Sequence, residues 1–219
     1  MTDVAYITSR VSELIQDTGN TALTTAQALE WVNDAQRAVA SIKPDAFSAI
    51  QSFQLVAGTL QSIPSTAHRL LGLVRNMGSD GATAGSPIRG PVPQEDLDSY
   101  ESTWHTTTGT EIEEYTQDPS TPKSFYVYPA VAASPALYVE ARLVLLPVLL
   151  VATTDAIQVS DVYAPALIEW VSYRYWSRDS EQTPNYARAA RAFRAFFNIL
   201  DTKMKVDMAI NPKILENAN

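Results

Sequence analysis

The chain has 219 residues, 46% of them hydrophobic and 18% charged, with a formal net charge of -8 and a pI of about 4.7. That composition supports a folded core, and its excess of carboxylate has no general attraction for a phosphate backbone, which argues against sequence-specific nucleic-acid reading. The absence of cysteine excludes a disulfide framework and any thiolate-bound metal, and it suits assembly in a cytoplasm.

The opening Met1-Thr2-Asp3 lacks the basic-then-apolar pattern of a signal peptide. The most apolar run, residues 143–152, contains Pro147 and falls short of the ~20 residues that cross a bilayer, so no membrane association is expected.

The first predicted helix carries Val4, Ile7, Val11, Leu14 and Ile15 at helical spacing. Thr2 or Asp3 suits its start and Gly19 its stop. A second helix opens at Thr24, where Thr24 and Gln27 have capping-box spacing. Leu29, Val32, Ala35, Val39 and Ile42 form its apolar stripe, and Lys43-Pro44 ends it because a residue before proline avoids helical angles. On its polar side Asn33, Asp34, Gln36 and Arg37 suit an intramolecular capping or salt-bridge role.

Residues 46–160 read as rich in strands and loops. Strands are predicted at 50–56, 70–75, 125–128 and 137–146 from branched and aromatic residues, with glycine, proline and aspartate turns between them. Residues 94–100 suit a short helix behind Pro93. Helical pattern returns at Asp161, with Pro165 inside the first turn, and Ala164, Leu167, Ile168, Val171 and Tyr175 as the buried face. The last helix starts at Thr183-Pro184. Tyr186, Ala190, Phe193, Phe197, Leu200 and Met204 are its expected buried stripe.

The expected fold class is α+β. Helices from both termini, residues 1–45 and 161–205, form a four-helix bundle. A β-rich insertion, sandwich or barrel-like, occupies 46–160 between helices two and three, and an extended C-terminal tail occupies 206–219.

Chemistry is sparse in this pattern. His68 and His105 have no companion at metal-ligand spacing and no nucleophile beside them. The glycine-rich residues 77–85 lack the Gly-Lys-Thr/Ser ending of a phosphate loop and suit a hairpin tip. Carboxylates gather at Glu95, Asp96, Asp98 and Glu101, and again at Glu111, Glu113, Glu114 and Asp118, without calcium-loop spacing; a solvated acidic face is the plainer reading. No catalytic residue, cofactor or metal is therefore expected. Arg174, Arg178, Arg188, Arg191 and Arg194 gather in the last two helices of an acidic chain. They form either an ordinary solvated flank or a surface that pairs with carboxylates of a neighbouring subunit. The C-terminal residues 205–219, with Ile210, Ile214 and Leu215 around Asn211-Pro212, suit either a frayed end or a segment that docks into a partner's groove.

Several stretches, in order, carry a resemblance. Trp31-Val32-Asn33-Asp34-Ala35-Gln36-Arg37 precedes Lys43-Pro44-Asp45-Ala46. Gly58-Thr59-Leu60-Gln61-Ser62-Ile63-Pro64 leads to Arg75-Asn76-Met77-Gly78 and Asp80-Gly81. Leu97-Asp98 and Trp104 follow, then Pro122-Lys123-Ser124-Phe125-Tyr126-Val127-Tyr128-Pro129. Together they resemble the phage head-to-tail adaptors, the tail tubular or gatekeeper-type connectors of short-tailed phages. The resemblance implies a ring, commonly of twelve copies, in the virion neck beneath the portal protein, with a nozzle or tail-tube protein and sometimes fibres on the other side. It implies that the tail, here Met208, Ile210, Asn211, Pro212, Ile214 and Leu215, reaches into the portal, and a head-to-tail ring fits the reading in which the arginines pair across subunits. DNA would pass through an acidic channel without specific binding. A second reading is a carbohydrate-binding or fibre-associated module that stacks sugars on exposed Tyr100, Trp104, Tyr126 and Tyr128.

Overall fold

The computed structural model describes residues 2–17, 19–178 and 183–210, with the side chains of Thr183 and residues 208–210 outside the description. The chain is mixed α+β and divides into two compact units. One comprises residues 1–47 and 147–219, the other Ser48–Leu146. Residues 147–160, expected in the β-rich insertion, therefore lie with the helices.

In the helical unit α1 spans Val4–Ile15, with the Asp3 carboxylate accepting from the Tyr6 amide at 2.7 Å. It stops at Gln16, in the left-handed region, rather than at Gly19. Val4, Ile7 and Val11 are fully buried, but Leu14 faces out. The second helix, α2, spans Thr25–Ile42, and its Thr24–Gln27 capping box is formed in both directions. Lys43 closes it, and Pro44–Phe47 form a single 3-10 turn.

Two further helices complete this unit. Asp161–Tyr163 form a 3-10 turn that runs into α4, Ala164–Ser177, with Pro165 in its first turn. The last, α5, spans Thr183–Ile210, so residues 206–210 are helical where an extended tail was expected. Helix α4 packs against α1, α2 and α5, and α1 also packs against α2.

The face that α5 buries is only partly the predicted one: Leu200 is buried and Ala190 half-buried as expected, but the rest of the stripe is shifted. Ala189, Ala192, Phe196 and Leu200 are buried, whereas Tyr186, Phe193, Phe197 and Met204 are exposed. The two alanines let α4 approach closely, and the Phe196 ring lies tilted against Trp170 of α4 with centroids 4.9 Å apart. The larger aromatic stripe is thereby turned toward the rim of the contact.

The β unit contains two sheets. The first has the order β1 (Ser48–Gln54), β8 (Tyr138–Leu145), β3 (Ala67–Met77), β4 (Ala84–Pro87), all antiparallel. The β3–β4 connection is the glycine-rich hairpin tip foreseen at residues 77–85. In the second sheet β7 (Ser124–Val131) pairs antiparallel with β2 (Gly58–Ser62) and β6 (Glu114–Thr116), and parallel with β5 (Thr108–Gly109). Both sheets bury one core, with Leu70, Val139 and Leu143 from the first and Tyr115, Phe125 and Val127 from the second. The alternation along β8 puts Val139, Ala141 and Leu143 on that inner face. The short helix α3 spans Gln94–Tyr100 behind Pro93, as its sequence indicates.

Candidate functional site

The residues that looked most informative in the sequence are pins of the fold. Asn33 is buried, not on a polar side. Its amide donates to the Leu150 carbonyl at 2.9 Å and accepts from the Leu150 amide at 2.9 Å. One turn on, the fully buried Gln36 accepts from the Gln158 amide at 2.8 Å, and Gln158 in turn bonds both backbone groups of Val148. Two side chains of α2 thus replace the sheet ladder that residues 148–158 lack, which satisfies buried backbone groups without a neighbouring strand. Asp34 and Arg37 form an exposed pair at 3.2 Å, the salt-bridge role anticipated for them.

The β unit repeats the device. Buried Asn76 donates to the Ile112 carbonyl at 2.7 Å and accepts from its amide at 2.8 Å. Buried Gln61 accepts from the Val56 amide at 2.8 Å and donates to the carbonyls of Val56 and Gly58. Gly90 holds φ +142, and a Cβ there would lie 2.6 Å from both the ring and the carbonyl of Tyr115. In the α1–α2 connection the Asp17 carboxylate accepts from the Thr21, Ala22 and Leu23 amides, led by Leu23, which holds its pKa below the ordinary carboxylate value.

The arginines are placed as follows. Arg178 donates to the Ala22 carbonyl at 2.8 Å and lies 4.6 Å over the Tyr175 ring. Arg174 stands 3.9 Å from Asp34, and Arg188 lies 4.6 Å over Trp176. Arg194 bonds only the Ala190 carbonyl of its own helix. Arg191 has no hydrogen bond or ion pair among the described residues; its charge is felt by half-buried Glu169, whose pKa burial raises. Of the tail residues, Met208 and Ile210 belong to α5 with side chains outside the description, while Asn211, Pro212, Ile214 and Leu215 lie outside the described residues.

His68 and His105 are exposed and far apart in sequence, and His105 stacks on Trp104 at 3.6 Å. Among the described residues no three His, Asp or Glu side chains are grouped to hold a metal, and no helix is long and apolar enough to cross a membrane. The expected sugar platform does not form as a set. Trp104 is buried and donates to Asp98 at 2.8 Å, and Tyr126 and Tyr128 are half-buried. Tyr100 is exposed, but its hydroxyl is bonded to Glu114, which pushes its pKa up to about 12.

Buried side-chain amides thus pin the irregular segments of both units of this α+β chain. The model of the SU10 adaptor protein family matches residues 2–214, and the chain belongs to this family of phage head-to-tail adaptors. No curated protein matches the chain. The family is one of phage structural proteins, not of enzymes, and it implies a place in the virion neck beside portal and tail proteins.

Proposed function

We propose that this chain is a ring subunit of the phage neck, joining the portal to the tail nozzle or tube and lining the channel through which DNA leaves. The observation that carries the reading is the family match over residues 2–214. In this reading α1, α2, α4 and α5 act as one four-helix bundle around α4. Twelve copies surround the channel, and the arginines of α4 and α5 contribute to the contact between copies. The net charge of -8 supports passage of DNA without counterion-release binding. The cysteine-free composition is compatible with assembly in the host cytoplasm.

The segment after α5, with Asn211, Pro212, Ile214 and Leu215, is assigned to the portal, together with Met208 and Ile210. A deletion that tests it must begin after Ile210, because Asp207 is bound to buried Lys43 at 2.6 Å. Removing residues 211–219 leaves the far-ultraviolet circular dichroism and melting temperature unchanged and abolishes sedimentation with portal rings. Retained co-sedimentation removes this segment from the mechanism.

A further inference from the structure

One side of α5 carries an aromatic line that its own fold covers only in part: Phe193 lies 5.0 Å from Tyr173 of α4 and Phe197 packs on Phe193 and Phe196, yet each keeps more than a third of its surface open. Tyr186, Phe193, Phe197 and Met204 follow one another at steps of 7, 4 and 7 residues, close to whole numbers of helical turns, so they form a straight line. Phe193, Phe197 and Met204 are each 38–39% exposed. Beside them an open groove of about 390 Å³ runs between the end of α2 and α5, lined by Ile42, Phe197, Leu200 and Met204. Further round the helix, about 80° and 140° from that line at about 100° per residue, stand Arg194 and Arg191, free of ion pairs among the described residues, although the charge of Arg191 is felt by Glu169. No acidic residue occurs from Thr183 to Leu200. Aromatic side chains edged by arginine are the composition of protein contact surfaces.

The complementary charge is in the same chain, in the other unit. Eight carboxylates fall between Glu95 and Asp118 with no Lys or Arg among them, a local charge equal to the net charge of the whole protein. Several are internally engaged: Asp98 by Trp104, Glu111 by Ser86, Glu114 by Arg89 and Tyr100. Glu95, Asp96 and Glu113 are exposed and hold no hydrogen bond or ion pair through their carboxylates among the described residues. Exposed Tyr100, at the end of α3, adds an aromatic surface beside them.

We propose that the α5 face, with Phe193, Phe197, Arg191 and Arg194, is the docking surface for the acidic α3–β6 surface of a second copy of this chain, through Glu95, Asp96 and Glu113. The contact joins two different surfaces, so it repeats head to tail and closes into a ring or runs on as a filament. It rests on the ring reading above and names the partner of the arginine flank. Opposite charges set the register and the rate of encounter, and the aromatic line supplies the buried apolar area.

The test uses the full chain at low ionic strength in sedimentation velocity. One variant carries Arg191→Glu with Arg194→Glu, the other Glu95→Arg with Asp96→Arg. Each alone weakens self-association by about tenfold or more, as expected when close opposite charges become like charges. An equimolar mixture recovers wild-type association, because alternating copies again meet with opposite charge. A chain carrying all four substitutions recovers it too. Melting temperatures stay near wild type for Glu95→Arg with Asp96→Arg, and recovery on mixing separates a lost contact from any local loss caused by Arg191→Glu beside half-buried Glu169. Association that is indifferent to either reversal, or lost in both and not recovered on mixing, overturns the pairing. If portal rings are still capped by either reversal as well as by wild type, the pairing fails while the ring reading stands. A wild-type chain that neither self-associates nor caps a portal ring defeats both.

Discussion

Asn33→Ala puts the pinning role of the family-like stretch at residues 31–37 to a direct test. The Asn33 amide holds both backbone groups of Leu150, each at 2.9 Å, in a buried setting. Its further bond, to the Leu29 carbonyl at 3.1 Å, duplicates a helical acceptor and adds little. Truncation strands one buried amide and one buried carbonyl, at about 1–3 kcal/mol apiece. Allowing for a water that reaches one of them, the expected loss is about 3 kcal/mol, or about 6–12 °C in melting temperature for a chain of this size. Asn33→Asp fares no better at neutral pH, because a carboxylate accepts from the Leu150 amide but faces its carbonyl. The introduced acid then has a raised pKa in the folded state, so its stability is present at low pH and lost as pH rises through that value. Asp34→Ala, one residue along, removes the solvent-screened contacts with Arg37 and Arg174 and changes stability by less than about 1 kcal/mol. Urea denaturation followed by circular dichroism reads all three. An Asn33→Ala chain as stable as Asp34→Ala refutes the pin.

Gly90→Ala forces a Cβ into contact with Tyr115 at a backbone angle that alanine disfavours, and is expected to cost about 2 kcal/mol or more, read as loss of near-ultraviolet signal at lower urea. Asp207→Asn leaves the buried Lys43 ammonium without its carboxylate and destabilises by about 1–3 kcal/mol, whereas Lys43→Met stays within about 1 kcal/mol; equal effects contradict the assigned burial. Six aspartates, Asp17, Asp80, Asp118, Asp155, Asp161 and Asp207, have pKa values held below 3.8, Asp80 at about 2, mostly by backbone amides and hydroxyls and for Asp207 by Lys203 and Lys43. Between these values and 3.8 the unfolded chain binds more protons, so their stabilisation is full above about pH 4 and is lost as pH falls toward 2. An acid titration of the urea midpoint that stays flat from pH 4 to 2 contradicts it.

Local signals located the helix starts well. The Thr24–Gln27 box, Pro165 and Thr183-Pro184 each act within a few residues, and each stands where its chemistry requires. Long-range devices left little trace. Residues 147–151 are apolar and resemble a strand, yet Val148, Leu149 and Val151 are exposed, and the segment is held by Asn33, 117 residues distant from Leu150. Strand β2 escaped notice because its buried member is Gln61 while Leu60 is half exposed. The α5 stripe misled for a related reason. Apolar periodicity gives the large aromatic side chains more weight than the small ones, so Ala189 and Ala192, which are buried, signal less than Phe193 and Phe197, which reach only the edge of the α4 contact. The same gap affects the arginines, since Arg178 and Arg188 lie over aromatic rings of the fold while Arg191 and Arg194 form no ion pair among the described residues.

Electron microscopy of the purified chain mixed with portal rings from the same phage measures the adaptor role itself. The expected class averages show a second, coaxial ring of this chain capping one end of the portal, with an open channel along the axis. Bare portal rings beside free monomers, at concentrations where the chain is in excess, would contradict it.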